Sequence, residues 1–285
     1  MAQSATVEDD GEQRLMLLLA VPALLVVSAL VLVPLAWLVA QSFWDNGLSF
    51  AHYQRVFSEA IYWRSFGLTF RIAALVTIAC LLLGYPVAYA AAMAERPWKA
   101  LILALIVLPF WTSVLVRAYA WLVLLQRTGV VNQMLERVGL ISEPLALAHN
   151  EFGATLATVH ILLPFMVLPI YATIEKIPAD LMQAAASLGG GPAYAFRRVF
   201  LPLSMPGVIS GMTLVFILTL GFYITPELLG GGRVVMVSMV VSRNVELYQQ
   251  WGAASAVGVV LLIIVAAIFY GVSRVVSFDR ILGDK

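Results

Sequence analysis

Two groups of side chains in this 285-residue chain are of types that bind small charged solutes, and neither is of a type that breaks bonds. Trp111, Arg117, Tyr119 and Trp121 fall within one apolar run, and Tyr223 and Glu227 bracket Pro226 just ahead of Gly230, Gly231 and Gly232. The first group outlines a vestibule with aromatic walls and one fixed positive charge. An arginine in an apolar membrane interior costs from about 3 kcal/mol upward unless it faces protein or water. The alternative is that Arg117 snorkels or pairs within a helical bundle while the aromatics form an interfacial belt. In the second group, Tyr223 offers a ring face to an ammonium group and Glu227 an opposite charge. A helix broken at Pro226 would place both at a cavity, since irregular backbone at membrane depth occurs where it lines one. The plainer reading puts Glu227 at the outer interface. A cationic solute would not take Arg117 as a ligand, so for such a solute Arg117 is structural or paired.

Covalent chemistry has no footing in the sequence. There is no G-x-x-x-x-G-K-[ST] phosphate cradle, and His52, His149 and His160 are scattered rather than set at metal-ligand spacing. The serines lack convincing histidine and carboxylate partners. The chain is therefore read as non-catalytic, with no cofactor or metal of its own. Cys80 is the single cysteine, so an intrachain disulfide is impossible and the thiol reads as packing. A net charge of +1, without basic stripes interleaved with aromatics, argues against nucleic acid.

The elements that must position these residues follow from composition. At 62% hydrophobic and 12% charged, the chain lies outside the range of soluble domains and reads as an all-α polytopic membrane protein. Apolar windows of about twenty residues, enough to cross a hydrocarbon core, fit six times: roughly 16–41, 70–93, 100–125, 153–174, 206–225 and 253–276. This gives a polar N-terminal tail over 1–15 with no fold assigned, a membrane domain over 16–276 and a short tail over 277–285. Gly84, Tyr85 and Pro86, and also Pro164 and Pro169, are positions where spans can kink. The loops 42–69, 126–152 and 226–252 are longer than hairpins need and have room for short surface helices that a soluble protein could dock on. Arginines occur on both sets of loops, but Lys99, Lys176 and Lys285, with the pair Arg197 and Arg198, favour both termini and the 176–205 loop on the cytoplasmic side.

That loop holds a polar island, Asp180 to Pro202. Leu181, Ala184, Ala185 and Leu188 share one side of a short helix, with Asp180, Gln183 and Ser187 on the other. Gly189, Gly190 and Gly191 end it, and Pro192 suits the first turn of a second helix, predicted to run to about Leu201 before Pro202 breaks it. The second helix sets Ala193, Phe196, Val199 and Phe200 opposite Tyr194, Arg197 and Arg198, so its aromatic side is expected to anchor on the bundle. The alanine-lined helix is then free to dock elsewhere.

This bracket resembles the EAA loop of ATP-binding-cassette importer permeases, matching it at Ala184, Ala185, Gly189, Leu201 and Pro202. Gln183 stands where the family usually has Glu, and Asp180 lies one turn earlier as a substitute carboxylate. Three further stretches, 108–121, 162–171 and 221–231, are similar to spermidine/putrescine-type permeases and their relatives. The resemblance implies a type I importer permease fold with six transmembrane helices and a cytoplasmic coupling loop. It implies placement in a bacterial inner membrane, a second permease subunit expected to be a paralogue, and a pair of cytoplasmic ATPases that bind the ATP. It also implies a periplasmic binding protein that delivers the solute. The loop residues Asp180, Gln183, Ala184, Ala185, Leu188, Gly189, Arg197, Arg198, Leu201 and Pro202 then read as the ATPase contact. A polyamine is the expected solute, with opines, amino-acid-like solutes and phosphonates as alternatives within the same architecture. A gradient-driven carrier would be expected to bury acidic residues deep in its spans, whereas Asp and Glu here lie in loops or near span ends. A membrane scaffold would need neither kinked spans nor a glycine-hinged bracket.

Overall fold

The computed structural model describes residues 3–45 and 47–275, and they form a helical bundle. Helix α1 (Gln3–Ser42) is followed by α2 (Ala51–Ser58), α3 (Ala60–Met93) and α4 (Arg96–Val107). Then come α5 (Val114–Leu125), α6 (Val130–Arg137) and α7 (Glu151–Ile174). The chain continues through α8 (Ala179–Ser187), α9 (Pro192–Ala195) and α10 (Leu201–Leu220) to α11 (Ile224–Leu229), α12 (Val237–Glu246) and α13 (Trp251–Val275). Six stretches are long and apolar enough to cross a membrane: Ala20–Ser42, Ala60–Met93, Val114–Arg137, Glu151–Ile174, Pro192–Leu220 and Trp251–Arg274. The polar residues from Gln3 onward continue the helix of the first span, and the 277–285 tail lies outside the described residues.

A trio of helices, α3, α7 and α10, makes the centre. Ile72, Val76, Met166, Ile170 and Val215 are fully buried there, and Cys80 beside them donates its thiol hydrogen to the Val159 carbonyl at 3.6 Å. Four of the buried threonines answer their own hydroxyls within the helix, while Thr225 Oγ1 has no partner among the described residues. Thr69, Thr77, Thr158 and Thr219 each donate to the carbonyl four residues back at 2.7 Å. Glycines set how closely the trio packs. A side chain at Gly207 would begin 2.7 Å from the Pro169 carbonyl oxygen and 2.8 Å from Thr173 Cβ, so α10 meets α7 almost backbone to backbone. By contrast, α1 packs along α13 and leaves Leu24, Leu25, Leu30 and Val33 more than half exposed.

Three expectations about continuity need correction. The third span is not one helix over 100–125. A tight 3₁₀ turn, Leu108–Trp111, and an extended Thr112 separate α4 from α5, because Pro109 supplies no backbone donor and the Ser113 hydroxyl restarts the helix by accepting from Leu115 N. Pro202 does not break the bracket's second helix. A π turn over Phe196–Phe200 widens the coil just where a proline would otherwise collide with the preceding turn, and α9 runs through it into α10. Finally, the break in the 221–231 segment lies at Gly221–Tyr223, one turn before Pro226, which sits inside the first turn of α11 where a missing donor costs nothing. The expected surface helices are present as α2, α6 and α12.

The Gly207 contact yields a direct test. Gly207→Leu should destabilise the purified protein by about 1–3 kcal/mol or more through overpacking, read as a lowered Tm in detergent. Gly271→Leu, where nothing lies within 4 Å of the added Cβ, should leave Tm unchanged.

Candidate coupling surface and solute pathway

Helix α8 leaves the bundle from a charged clamp. Lys99 Nζ on α4 lies 3.1 Å from Glu175 Oε1 at the foot of α7, and the Tyr171 hydroxyl donates to the same oxygen at 2.8 Å. The Tyr171 hydroxyl first, and Lys99 second, hold the Glu175 carboxyl below the usual carboxylate range, while the same pairing raises Lys99. Both groups are solvent-accessible, so the clamp orients more than it stabilises.

Four residues on, α8 is exposed on both of the sides the helical wheel distinguished, with Ala185 half-buried. Leu181, Ala184 and Gln183 are exposed, and Leu188 is 90% exposed, a large apolar side chain with nothing over it. Met182 turns the other way and packs on the central core. Gly189, at φ +81°, reverses the chain in the left-handed region that favours glycine. At Gly190 any side chain would meet the Ala185 carbonyl at 2.8 Å and the Tyr194 ring at 3.0 Å. The result is an open groove of about 760 Å³ between α8 and α9, lined by Leu181, Ala184, Ala185, Leu188, Tyr194 and Arg198 among others. Arg197, Arg198 and Asp180 are exposed around it.

The aromatic side of the second helix does anchor on the bundle. Phe200 is buried, Phe196 stacks on it at 5.5 Å, and Tyr89 of α3 meets the two rings edge-on at 5.2 and 6.0 Å. Tyr85 Oη of α3 and Ser204 Oγ of α10 share a 3.0 Å hydrogen bond just above. Ala193, expected on the buried side, is exposed; Ala195 is buried instead, because the π turn shifts the register of the face that follows α9. Leu201 and Pro202 open α10 and belong to its first turn.

The candidate pathway residues are spread over two helix breaks. Trp111 ends the 3₁₀ turn and is 82% exposed; Tyr119 is half exposed. Arg117, one turn into α5, has its Nε buried with no hydrogen-bond partner among the described residues. Trp121 Nε1 donates to His160 Nδ1 of α7 at 3.2 Å, which assigns the ring proton of His160 to Nε2, and the field of Arg117 reaches that ring. His160 carries no local signal, since its partner lies 39 residues away. Tyr223 sits half-buried against the central core at the α10–α11 break, where the Ser238 hydroxyl donates to the freed Phe222 carbonyl at 2.7 Å. Glu227 is exposed but not unattended, because Arg243 of α12 approaches it to 3.9 Å.

A glycine-hinged bracket whose second helix continues into a span, in a bundle with two interrupted helices, is an architecture whose role is decided by comparison with known proteins. Residues 80–280 match the family described as "Binding-protein-dependent transport system inner membrane component". The chain belongs to this family. It is 34% identical over 232 residues to the spermidine/putrescine transport system permease protein PotB of Haemophilus influenzae, covering 80% of each chain. It is 36% identical over 233 residues to the inner membrane ABC transporter permease protein YdcU of Escherichia coli, covering 75% of this chain and 72% of that one. Among solved structures, a bacterial ABC transporter involved in the import of the acidic polysaccharide alginate superimposes with a TM-score of 0.70 at 18% identity, over 94% of this chain and 98% of that chain, which establishes the shared fold. The permease is thus a multi-pass inner-membrane subunit of an ATP-binding-cassette importer.

Proposed function

We propose that this permease forms half of a solute pathway, couples through the α8–α9 groove to a cytoplasmic ATPase pair that binds and hydrolyses the ATP, and imports a polyamine delivered by a periplasmic binding protein. The observation that carries the coupling assignment is structural continuity. The second helix of the groove-bearing bracket is joined without interruption, through the π turn, to span five, and α8 packs against that turn, so a push on α8 and α9 is passed to α10. Small residues at Ala184 and Ala185 let a partner backbone approach, and exposed Leu188 supplies an apolar contact that is otherwise unsatisfied. Both termini and the bracket lie in the cytoplasm in this reading, with a second, paralogous permease completing the pathway. ATPase closure then swings the spans from inward-open to outward-open as a rigid-body switch. Ala185→Arg or Gly189→Trp should abolish solute uptake and the stimulation of ATP hydrolysis by loaded binding protein, while membrane insertion stays intact. Wild-type uptake by either variant refutes the coupling surface.

The polyamine assignment is supported by the names carried by relatives at more than 30% identity, and by aromatic faces at Trp111, Tyr119 and Tyr223 that suit ammonium groups. A second reading is favoured by a specific observation. Arg117 is a cation without a carboxylate partner among the described residues, and Glu227 is already faced by Arg243. These suit an amino-acid-like or opine solute whose own acid group meets Arg117. ATP hydrolysis by the copurified complex in nanodiscs separates the two. Stimulation by a binding protein loaded with putrescine or spermidine supports the first reading. Stimulation confined to carboxylate-bearing amines, and lost in Arg117→Gln, establishes the second. Absence of any copurifying ATPase would break the importer assignment for this chain.

A further inference from the structure

At the end of the bundle opposite α8, the helices α2, α3 and α13 enclose a groove of about 490 Å³ lined by Val56, Phe57, Trp63, Phe66, Gly67, Phe70, Val260, Ile263 and Ile264. Its lining residues are apolar throughout. Trp63 would bring an indole N–H, but that donor is spent on the Phe57 carbonyl at 3.0 Å. The same bond fixes the wall, with Phe57 and Trp63 rings 6.1 Å apart and Trp63 and Phe66 6.5 Å apart. The floor is open because Gly67 has no side chain and nothing lies within 4 Å of where one would begin. Phe57, Trp63 and Ile263 remain more than half exposed, so the groove is a formed slot with a missing occupant rather than a packing defect.

Depth and charge identify the occupant. Trp63 to Phe70 spans seven residues of α3, about 10 Å at the helical rise of 1.5 Å per residue, and Ile264 lies 13 residues below the start of α13, about 20 Å by the same rise. The slot therefore descends from an aromatic interface towards the bilayer centre, the path of an acyl chain. Arg64, next to Trp63 and one turn before Gly67, is exposed and makes no ion pair among the described residues. We propose that this groove seats one acyl chain of a membrane phospholipid whose anionic headgroup is held by Arg64. A lipid phosphate suits a guanidinium at the interface, which it can meet with two parallel hydrogen bonds, and the apolar slot offers nothing to a polar solute. The proposal stands apart from the coupling and substrate readings, since it uses none of their residues.

The test uses the copurified complex in nanodiscs carrying trace phosphatidylglycerol with a diazirine on its acyl chain, then the same label on phosphatidylcholine. Crosslinks mapped by mass spectrometry should concentrate on 57–70 and 260–264 rather than along the exposed face of α1. Gly67→Trp should lower labelling there by about tenfold, the effect of excluding two methylenes from an apolar site, while Gly271→Trp leaves it unchanged. Arg64→Gln should erase the preference for phosphatidylglycerol over phosphatidylcholine. Labelling that merely follows exposure along all lipid-facing helices overturns the proposal, and so does a Gly67→Cys variant that crosslinks to another protein subunit. An unaltered headgroup preference in Arg64→Gln overturns the role of Arg64. If Gly67→Trp does not assemble, the wild-type crosslink map decides alone.

Discussion

The close seating of α10 on α7 is the contact on which the rest of the molecule depends. In a bilayer, apolar side chains gain little by leaving lipid for one another, so helices associate where backbones can come close and dispersion contacts are dense. Gly207 and Gly211 supply that approach, the first against the Pro169 carbonyl and Thr173, the second against Met166. Gly84 does the same from α3, where an added Cβ would stand 3.0 Å from Met166 Cγ. Met166 is thus gripped from two helices, and its flexible thioether fills the irregular space between them. Everything with a candidate role is referred to this trio: the charged clamp at the foot of α7, the bracket that becomes α10, and the break after Leu220.

Helix continuity and helix interruption are distributed in a way that backbone hydrogen bonding explains. Lipid tolerates no unpaired N–H or C=O, so interruptions survive only where a side chain or a re-formed turn answers the freed group. At the α10–α11 break that answer is Ser238 on the Phe222 carbonyl, and at the α4–α5 break it is the 3₁₀ turn with the Ser113 cap. At Pro202 the opposite problem is solved by widening rather than breaking, and a lever arm results. The same logic joins the surface helix α12 to the core, since its first free donor, Val237 N–H, is taken by Thr69 Oγ1 at 2.9 Å.

Much of this was legible in the sequence. Hydropathy gave the number of spans and placed five of the six, the third being displaced from 100–125 to Val114–Arg137, and the wheel of the polar island placed Leu181, Ala184 and Leu188 outward and Phe196 and Phe200 inward. Span boundaries and breaks were less legible because a hydropathy window averages side chains and is blind to which carbonyl each N–H meets. Pro109 and Pro202 look alike in sequence, yet one ends a helix and the other is absorbed by a π turn. Pairings across the bundle were not legible at all. Trp121 with His160 and Glu227 with Arg243 depend on which helix faces lie together, information that no local spacing carries.

Those two pairings change how charge in the proposed pathway is understood. Read singly, Glu227 is the negative group that would welcome a cation and Arg117 the positive group that would repel one. In the fold Glu227 is 40% exposed in its side chain and shares its field with Arg243 at 3.9 Å, so solvent and an opposite charge both reduce its reach. Arg117 is half-buried and has no opposite charge beside it among the described residues: its Nε is buried without a partner, the nearby His160 is oriented by Trp121, and the ring nitrogen left to His160 is a donor rather than an acceptor. In the proposed pathway the charge without an opposite partner among the described residues is therefore the positive one. Aromatic faces can still attract an ammonium group, because the attraction comes from ring quadrupoles rather than net charge. On the proposed reading, the balance between those faces and Arg117, rather than Glu227, would set the solute preference contributed by this subunit.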